Sequence, residues 1–230
     1  MPRRYFTPRL FAFLRELAEN NEREWFKANQ DRFEEQVRRP ALDFIEDFSE
    51  PLYSISRHFT ADARKVGGSL FRIQRDTRFS KDKTPYKTHV GMHFRHVATR
   101  DDVHAPGFYL HLEPSASLAA VGLWRPATHH ANSIRQAIVD HPHRWRQATR
   151  SEPFTGLYGV LSGDLLKRPP RGFDPGHPLI NDLKRRDFTA STRLRQADIT
   201  STGFMDTYAA TVEAAAPLMR FLCEAIGLGF

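Results

Sequence analysis

The feature that most restricts the fold of this chain is a change of hydrophobic period at Gly67-Gly68. Before it, apolar residues recur at three- and four-residue spacing, as one face of a helix requires. Thr7-Pro8 reads as an N-cap followed by proline at the first helical position, and Leu10, Phe11, Leu14 and Leu17 set a helix over 8–19. A second helix is expected from about Glu22 to Arg38 on Trp25, Phe26, Phe33 and Val37. A third is expected from Pro40 on Leu42, Phe44, Ile45, Phe48 and Leu52. After the glycine pair the period becomes two. Residues 69–79, 86–96, 107–113 and 117–124 alternate and are separated by Pro, Gly and Asp signals.

The alternation also assigns faces. In 87–95, Thr88, Val90, Met92 and Phe94 point one way, and Lys87, His89, His93 and Arg95 the other. In 108–113, Phe108, Leu110 and Leu112 oppose Tyr109, His111 and Glu113. One face of an antiparallel sheet is therefore apolar and packs on helices, while the other carries cations, imidazoles and a tyrosine. Helices resume near Thr128 and His143–Arg150, and a last one spans about 203–226 with Pro217 kinking or restarting it. Residues 151–200 read as irregular, with a short strand around Leu157–Leu161. The expectation is a single α+β domain over 1–230, with a central antiparallel sheet at about 69–124 packed on one face by N-terminal and C-terminal helices.

Charge is distributed unevenly. The formal net charge is +7, and residues 72–100 hold eight Lys/Arg against Asp76 and Asp82, so this short stretch accounts for nearly all of it. The chain has seven lysines to 27 arginines, yet Lys81, Lys83 and Lys87 fall together. A sharp peak on a nearly neutral background points to one anion site rather than to diffuse polyanion affinity. No apolar run reaches the ~18 residues of a membrane span, and the basic N-terminus lacks the apolar stretch of a signal peptide. The lone Cys223, among Leu222, Met219 and Ile226, reads as a core residue. These features favour the cytoplasm and no membrane partner.

The charge peak contains R-x-x-R-D-x-R-F-x-x-D-K-x-P-Y, from Arg72 to Tyr86. On this signature the chain resembles a bacterial conserved hypothetical family, domain of unknown function 2461. The resemblance runs from Phe6 to the last helix and takes in Gly122-Leu123-Trp124-Arg125-Pro126 and the Pro-Pro-Arg-Gly-Phe of 169–173. It implies no activity, substrate or cofactor, so the chemistry rests on the residues.

Arginine offers a planar fork for phosphate or carboxylate and lysine a point charge. A strand to about Asp76 followed by a turn through Ser80–Pro85 places such groups around an anion. The ligand-binding set is thus Arg72, Arg75, Asp76, Arg78, Asp82, Lys83, Lys87 and Arg95. Asp76 and Asp82, crowded by cations, orient Arg75, Arg78 or Lys83 and are too acidic to serve as general acids. The bland alternative is a salt-bridge network, but two local carboxylates do not match eight cations. Tyr86, His89 and His111 are the proton-transfer candidates, with Tyr109 nearby. No metal site and no cofactor is expected: His89 and His93 lie roughly 13 Å apart along a strand, and the surrounding charge is positive. The expected partner is an anionic small molecule. A nucleic acid tracking the same cations, with Phe79, Tyr86, Phe94 and Tyr109 as stacking rings, is the rival class, and a purely structural signature is the third. The oligomeric state is left open.

Overall fold

The computed structural model describes residues 3–99, 102 and 104–230. Its N-terminal layer is helical: α1 (Pro8–Glu19), α2 (Arg23–Ala28), α3 (Gln30–Phe33), a π-helical turn (Glu34–Arg38) and α4 (Arg39–Ile55). Helix α1 begins as its sequence dictates, with Thr7 extended at the N-cap and Pro8 in the first turn, and it buries Leu10, Phe11, Phe13, Leu14 and Leu17. The single helix expected over 22–38 is instead broken at Asn29. That residue leaves helical geometry, and both its backbone N–H and its side-chain amide donate to the Trp25 carbonyl, at 3.1 and 2.9 Å. The π turn then feeds directly into α4.

Five strands follow: β1 (Phe59–Thr60), β2 (Val90–His96), β3 (Gly107–Leu112), β4 (Leu118–Leu123) and, much later, β5 (Phe188–Arg193). They form one antiparallel sheet in the order β1-β2-β3-β4-β5. Between β4 and β5 lie α5 (Thr128–Asp140), α6 (Pro142–Arg150), α7 (Glu152–Tyr158) and α8 (Ile180–Leu183). After β5 come α9 (Gln196–Ile199), α10 (Phe204–Ala214) and α11 (Ala216–Ala225). Pro217 does restart the last helix.

Three expectations are corrected. Residues 69–79 do not form a regular strand: Leu70 bridges Met92 of β2, while Gln74 bridges Tyr86 outside the sheet, so the segment meets the sheet edge around Leu70. It acts as a strap. Leu157–Leu161 is not a strand either, because α7 occupies its start and ends at Gly159, whose φ of 66° suits a residue without a Cβ. The stretch 151–200, read as irregular, contributes α7, α8, the edge strand β5 and α9. The inward residues of β5, Phe188, Ala190 and Thr192, include only one large apolar side chain, which leaves little hydrophobic alternation to detect.

One face of the sheet is covered by both helical groups. Phe48 of α4 lies 4.8 Å from Phe94 of β2, and Tyr208 of α10 packs on both, at 5.0 and 6.0 Å between ring centres. Val90, Met92, Phe94, Phe108, Leu110 and Leu112 are buried there, as the alternation requires. Cys223 is buried in the same core, and burial pushes its thiol up to about 12. Among the described residues no helix is long and apolar enough to cross a membrane.

Candidate functional site

Among the described residues, the opposite face of the sheet carries no helical layer. Strand register places His93, Tyr109, Ala120 and Ser191 in one transverse row, Gly91, His111, Leu118 and Arg193 in the next, and Arg95, Gly107, Gly122 and Thr189 in a third. Paired residues of neighbouring strands share a face, so the imidazoles and the phenol stand among glycines and alanine. The glycines are spatially required. A Cβ on Gly107 would come within 2.1 Å of His93 Nε2, and one on Gly91 within 2.6 Å of the Tyr109 hydroxyl. His93 thus lies flat over Gly107, and Tyr109 reaches over Gly91.

The strap runs along the β2 edge of this face. Its backbone is tied down by Phe71 N–H donating to the Gly91 carbonyl at 2.9 Å and His93 N–H donating to the Ser69 carbonyl at 2.8 Å. Phe71 is thereby held above the sheet, with its ring 6.0 Å from both His93 and Tyr109. Lys87 Nζ and the Arg95 guanidinium lie 5.4 and 5.8 Å from the same ring, within cation–π range.

Phe71 is also the shared wall of two cavities. The first, about 380 Å³, lies between the strap and the π turn; Arg38, Lys65, Arg72, Arg95 and His89 supply its polar lining. The second, about 540 Å³, lies over β3, β4 and β5. It is floored by His93, Tyr109, Ala120 and Gly122, with Trp124, Ser162, Thr189 and Ser191 at its sides.

The signature segment divides between this site and an exposed tip. At the tip Arg78 grips Asp76 with two nitrogens, at 2.7 and 3.0 Å, and Arg75 pairs with Asp82 and Thr84. Lys83 Nζ donates to the Thr77 carbonyl at 2.8 Å. The Arg78 hydrogen bonds hold Asp76 down to about 2. Asp82 is held at about 2 by the Thr84 backbone N–H first and Arg75 second. Nearer the sheet, Lys87 Nζ donates to the Arg72 carbonyl at 2.7 Å, and burial lowers its pKa. Arg72 feels the charge of Asp76 but, among the described residues, has no carboxylate in ion-pair contact.

The proton-transfer candidates also separate. Tyr86 is buried and stacks on Phe26 of α2 at 4.1 Å, while Asn21 clamps its backbone through two 3.0 Å hydrogen bonds, so it fastens the hairpin to the helical layer. His89 and His111 meet, with ring centres 4.4 Å apart. Burial lowers His89 to about 4 and His93 to about 3, so both imidazoles are neutral near pH 7. His96 faces the helical side and bonds the Gly229 carbonyl at 3.0 Å. Among the described residues no three His, Cys, Asp or Glu side chains converge on a metal-sized space.

Four participants were not in the expected set. Arg38 comes from a segment remote in sequence, and Lys65 lies just before the Gly67-Gly68 pair, outside the signature. His93 and Glu113 were recognised only as face residues. Glycines inside alternating strands were the available signal, because such positions mark a close approach.

These features define an α+β protein with a five-stranded antiparallel sheet, helices packed on one face, and two cavities that share Phe71 as a wall. The chain belongs to the family of conserved hypothetical proteins DUF2461, which matches residues 9–221. No curated protein and no solved structure matches it.

Proposed function

We propose that the protein binds a phosphorylated or carboxylated small molecule, with its anionic group in the smaller cavity and its body in the larger. The observation that carries this reading is the convergence of Arg38, Lys65, Arg72, Arg95 and His89 on one recess of ligand size. Glu34 pairs with Arg38 there, and the tip carboxylates are committed to Arg75 and Arg78. Neutral His89 adds a hydrogen-bonding group without adding charge. The neighbouring cavity, with small residues on its floor and Phe71 and Trp124 at its edges, offers space for the uncharged remainder of the ligand.

A nucleic-acid track is the weaker reading. It needs successive exposed rings beside the cations, whereas Tyr86 and Phe94 are buried and Phe79, at 96% exposure, stands alone at the tip. The test is thermal stability at low ionic strength against inorganic phosphate, citrate, phosphorylated sugars and short oligonucleotides. At least one small anion should raise Tm, and Arg72→Ala should abolish the rise. If no small anion stabilises the protein, or if the rise is undiminished in Arg72→Ala, the proposal is wrong.

A further inference from the structure

The open face holds an arrangement that anion binding does not require. Glu113, His111 and Tyr109 occupy alternate positions at the end of β3, so all three project from the same side of the sheet. They form a chain: His111 Nε2 is 3.0 Å from Glu113 Oε2, and His111 Nδ1 is 3.1 Å from the Tyr109 hydroxyl. An ionised carboxylate only accepts hydrogen bonds, so the proton of neutral His111 resides on Nε2 and points at Glu113. Nδ1 is left with a lone pair, and the Tyr109 hydroxyl donates to it. The lone pairs of the phenol oxygen are then free to receive a proton from elsewhere. Here the base sits within reach of a hydroxyl and is oriented by a third group, which is the general logic of an activated nucleophile or relay base.

The surroundings fit such a use. Tyr109 lines the larger cavity, and Phe71 alone is common to that cavity and the cationic recess. Gly91, opposite His111 in the register, leaves room for the phenol oxygen that any side chain would displace. The groups facing the pair are His89, whose ring lies tilted against His111, His93 beside the Tyr109 ring, and Glu113. Both of these neighbouring imidazoles are neutral near pH 7, so neither opposes a positive charge formed on His111. Burial, and after it the charge of Glu113, push the Tyr109 phenol up to about 12. A free phenolate is therefore not stored, and the phenol gives up its proton only as it gains another.

We infer that Tyr109 is a catalytic residue that takes a proton from a hydroxyl of the bound anionic ligand while passing its own proton to His111. In this step the ligand O–H bond breaks and a new O–H bond forms on Tyr109. The original Tyr109 O–H breaks and an N–H bond forms on His111 Nδ1. The electron pair stays on the ligand oxygen, and Glu113 stabilises the imidazolium. His111 and Glu113 are positioning residues that act through Tyr109. The substrate class, a phosphorylated or carboxylated molecule bearing a free hydroxyl, rests on the anion-binding reading above; the relay itself does not.

The test uses the full chain and an aryl sulfonyl fluoride. Attack by the phenol oxygen forms an O–S bond, fluoride leaves, and the phenol proton passes to His111. Mass spectrometry should find Tyr109 modified ahead of Tyr53, which is 64% exposed. His111→Ala should slow the modification by about 100-fold, the scale of general-base assistance, and Glu113→Gln should slow it less while altering its pH profile. Modification of Tyr109 no faster than of Tyr53, or at an unchanged rate in His111→Ala, overturns the inference. Nitrogen-15 spectra of the unmodified protein give a check that needs no variant: His111 should be protonated on Nε2, and protonation on Nδ1 alone overturns the relay. Inorganic phosphate separates the two readings. If neither it nor citrate nor any of the phosphorylated sugars changes Tm or modification while the His111 dependence holds, the relay stands and the anion pocket falls.

Discussion

The tip and the base of the signature segment use the same residue types and end in opposite states. At the tip, Arg75 and Arg78 are neutralised by Asp82 and Asp76, and Lys83 is tied to a carbonyl. At the base, Arg72 has no ion pair among the described residues and lies beside a recess that Arg95, Lys65 and Arg38 also line. A run of cations is thus not one site. Carboxylates two and seven residues from their partners convert the tip into a self-contained hairpin. Arg72, with no such partner among the described residues, instead lines the recess.

The largest effects should come from the sheet that supports the base. Phe94→Ala removes a buried ring facing the helices and should cost about 3–5 kcal/mol in urea unfolding, whereas His93→Ala, one residue away on the open face, should cost markedly less. Similar losses at both positions would break the distinction between the faces. Next comes Gly107→Ala, whose methyl group would meet His93 Nε2 at 2.1 Å. It should destabilise by about 1–3 kcal/mol and shift the His93 imidazole resonances.

Arg72→Ala should weaken small-anion binding by about 10-fold, which is about 1.4 kcal/mol. Arg78→Ala should leave that affinity within error by calorimetry. Equal losses in the two variants would merge tip and base into one site. The smallest effect concerns pH. Asp82 is depressed from 3.8 to about 2, so its contribution is complete above the unfolded value and fades as the pH falls through 3.8 towards 2. Thermal melts of wild type and Asp82→Asn should therefore differ at pH 6 and converge in acid. A difference that grows on acidification would refute the assignment.

Much of the architecture was legible because burial imposes a period. Leu10 to Leu17, the set Val90, Met92 and Phe94, and the set Phe108, Leu110 and Leu112 each declared their element and their inward face. The pairing of Asp76 and Asp82 with nearby arginines was legible because their partners are close in the chain. β5 was not, since an edge strand with one large inward residue leaves a weak pattern. Nor was the role of Tyr86. Its place in the signature suggested chemistry, but stacking on Phe26 gives it a packing role that depends on a helix about sixty residues earlier.

By itself, then, the sequence determined the fold class, the two unlike faces of the sheet and the location of the charge. These follow from local periodicity and from composition along a few consecutive residues. Only the tertiary structure decided which cations meet and which are already satisfied. It also decided that Phe71 stands between two cavities, and that Glu113, His111 and Tyr109 join in one hydrogen-bonded chain. The meeting of cations and the place of Phe71 depend on distances of a few ångströms between segments far apart in the chain, while the hydrogen-bonded chain depends on side-chain rotamers that alternation along one strand does not encode.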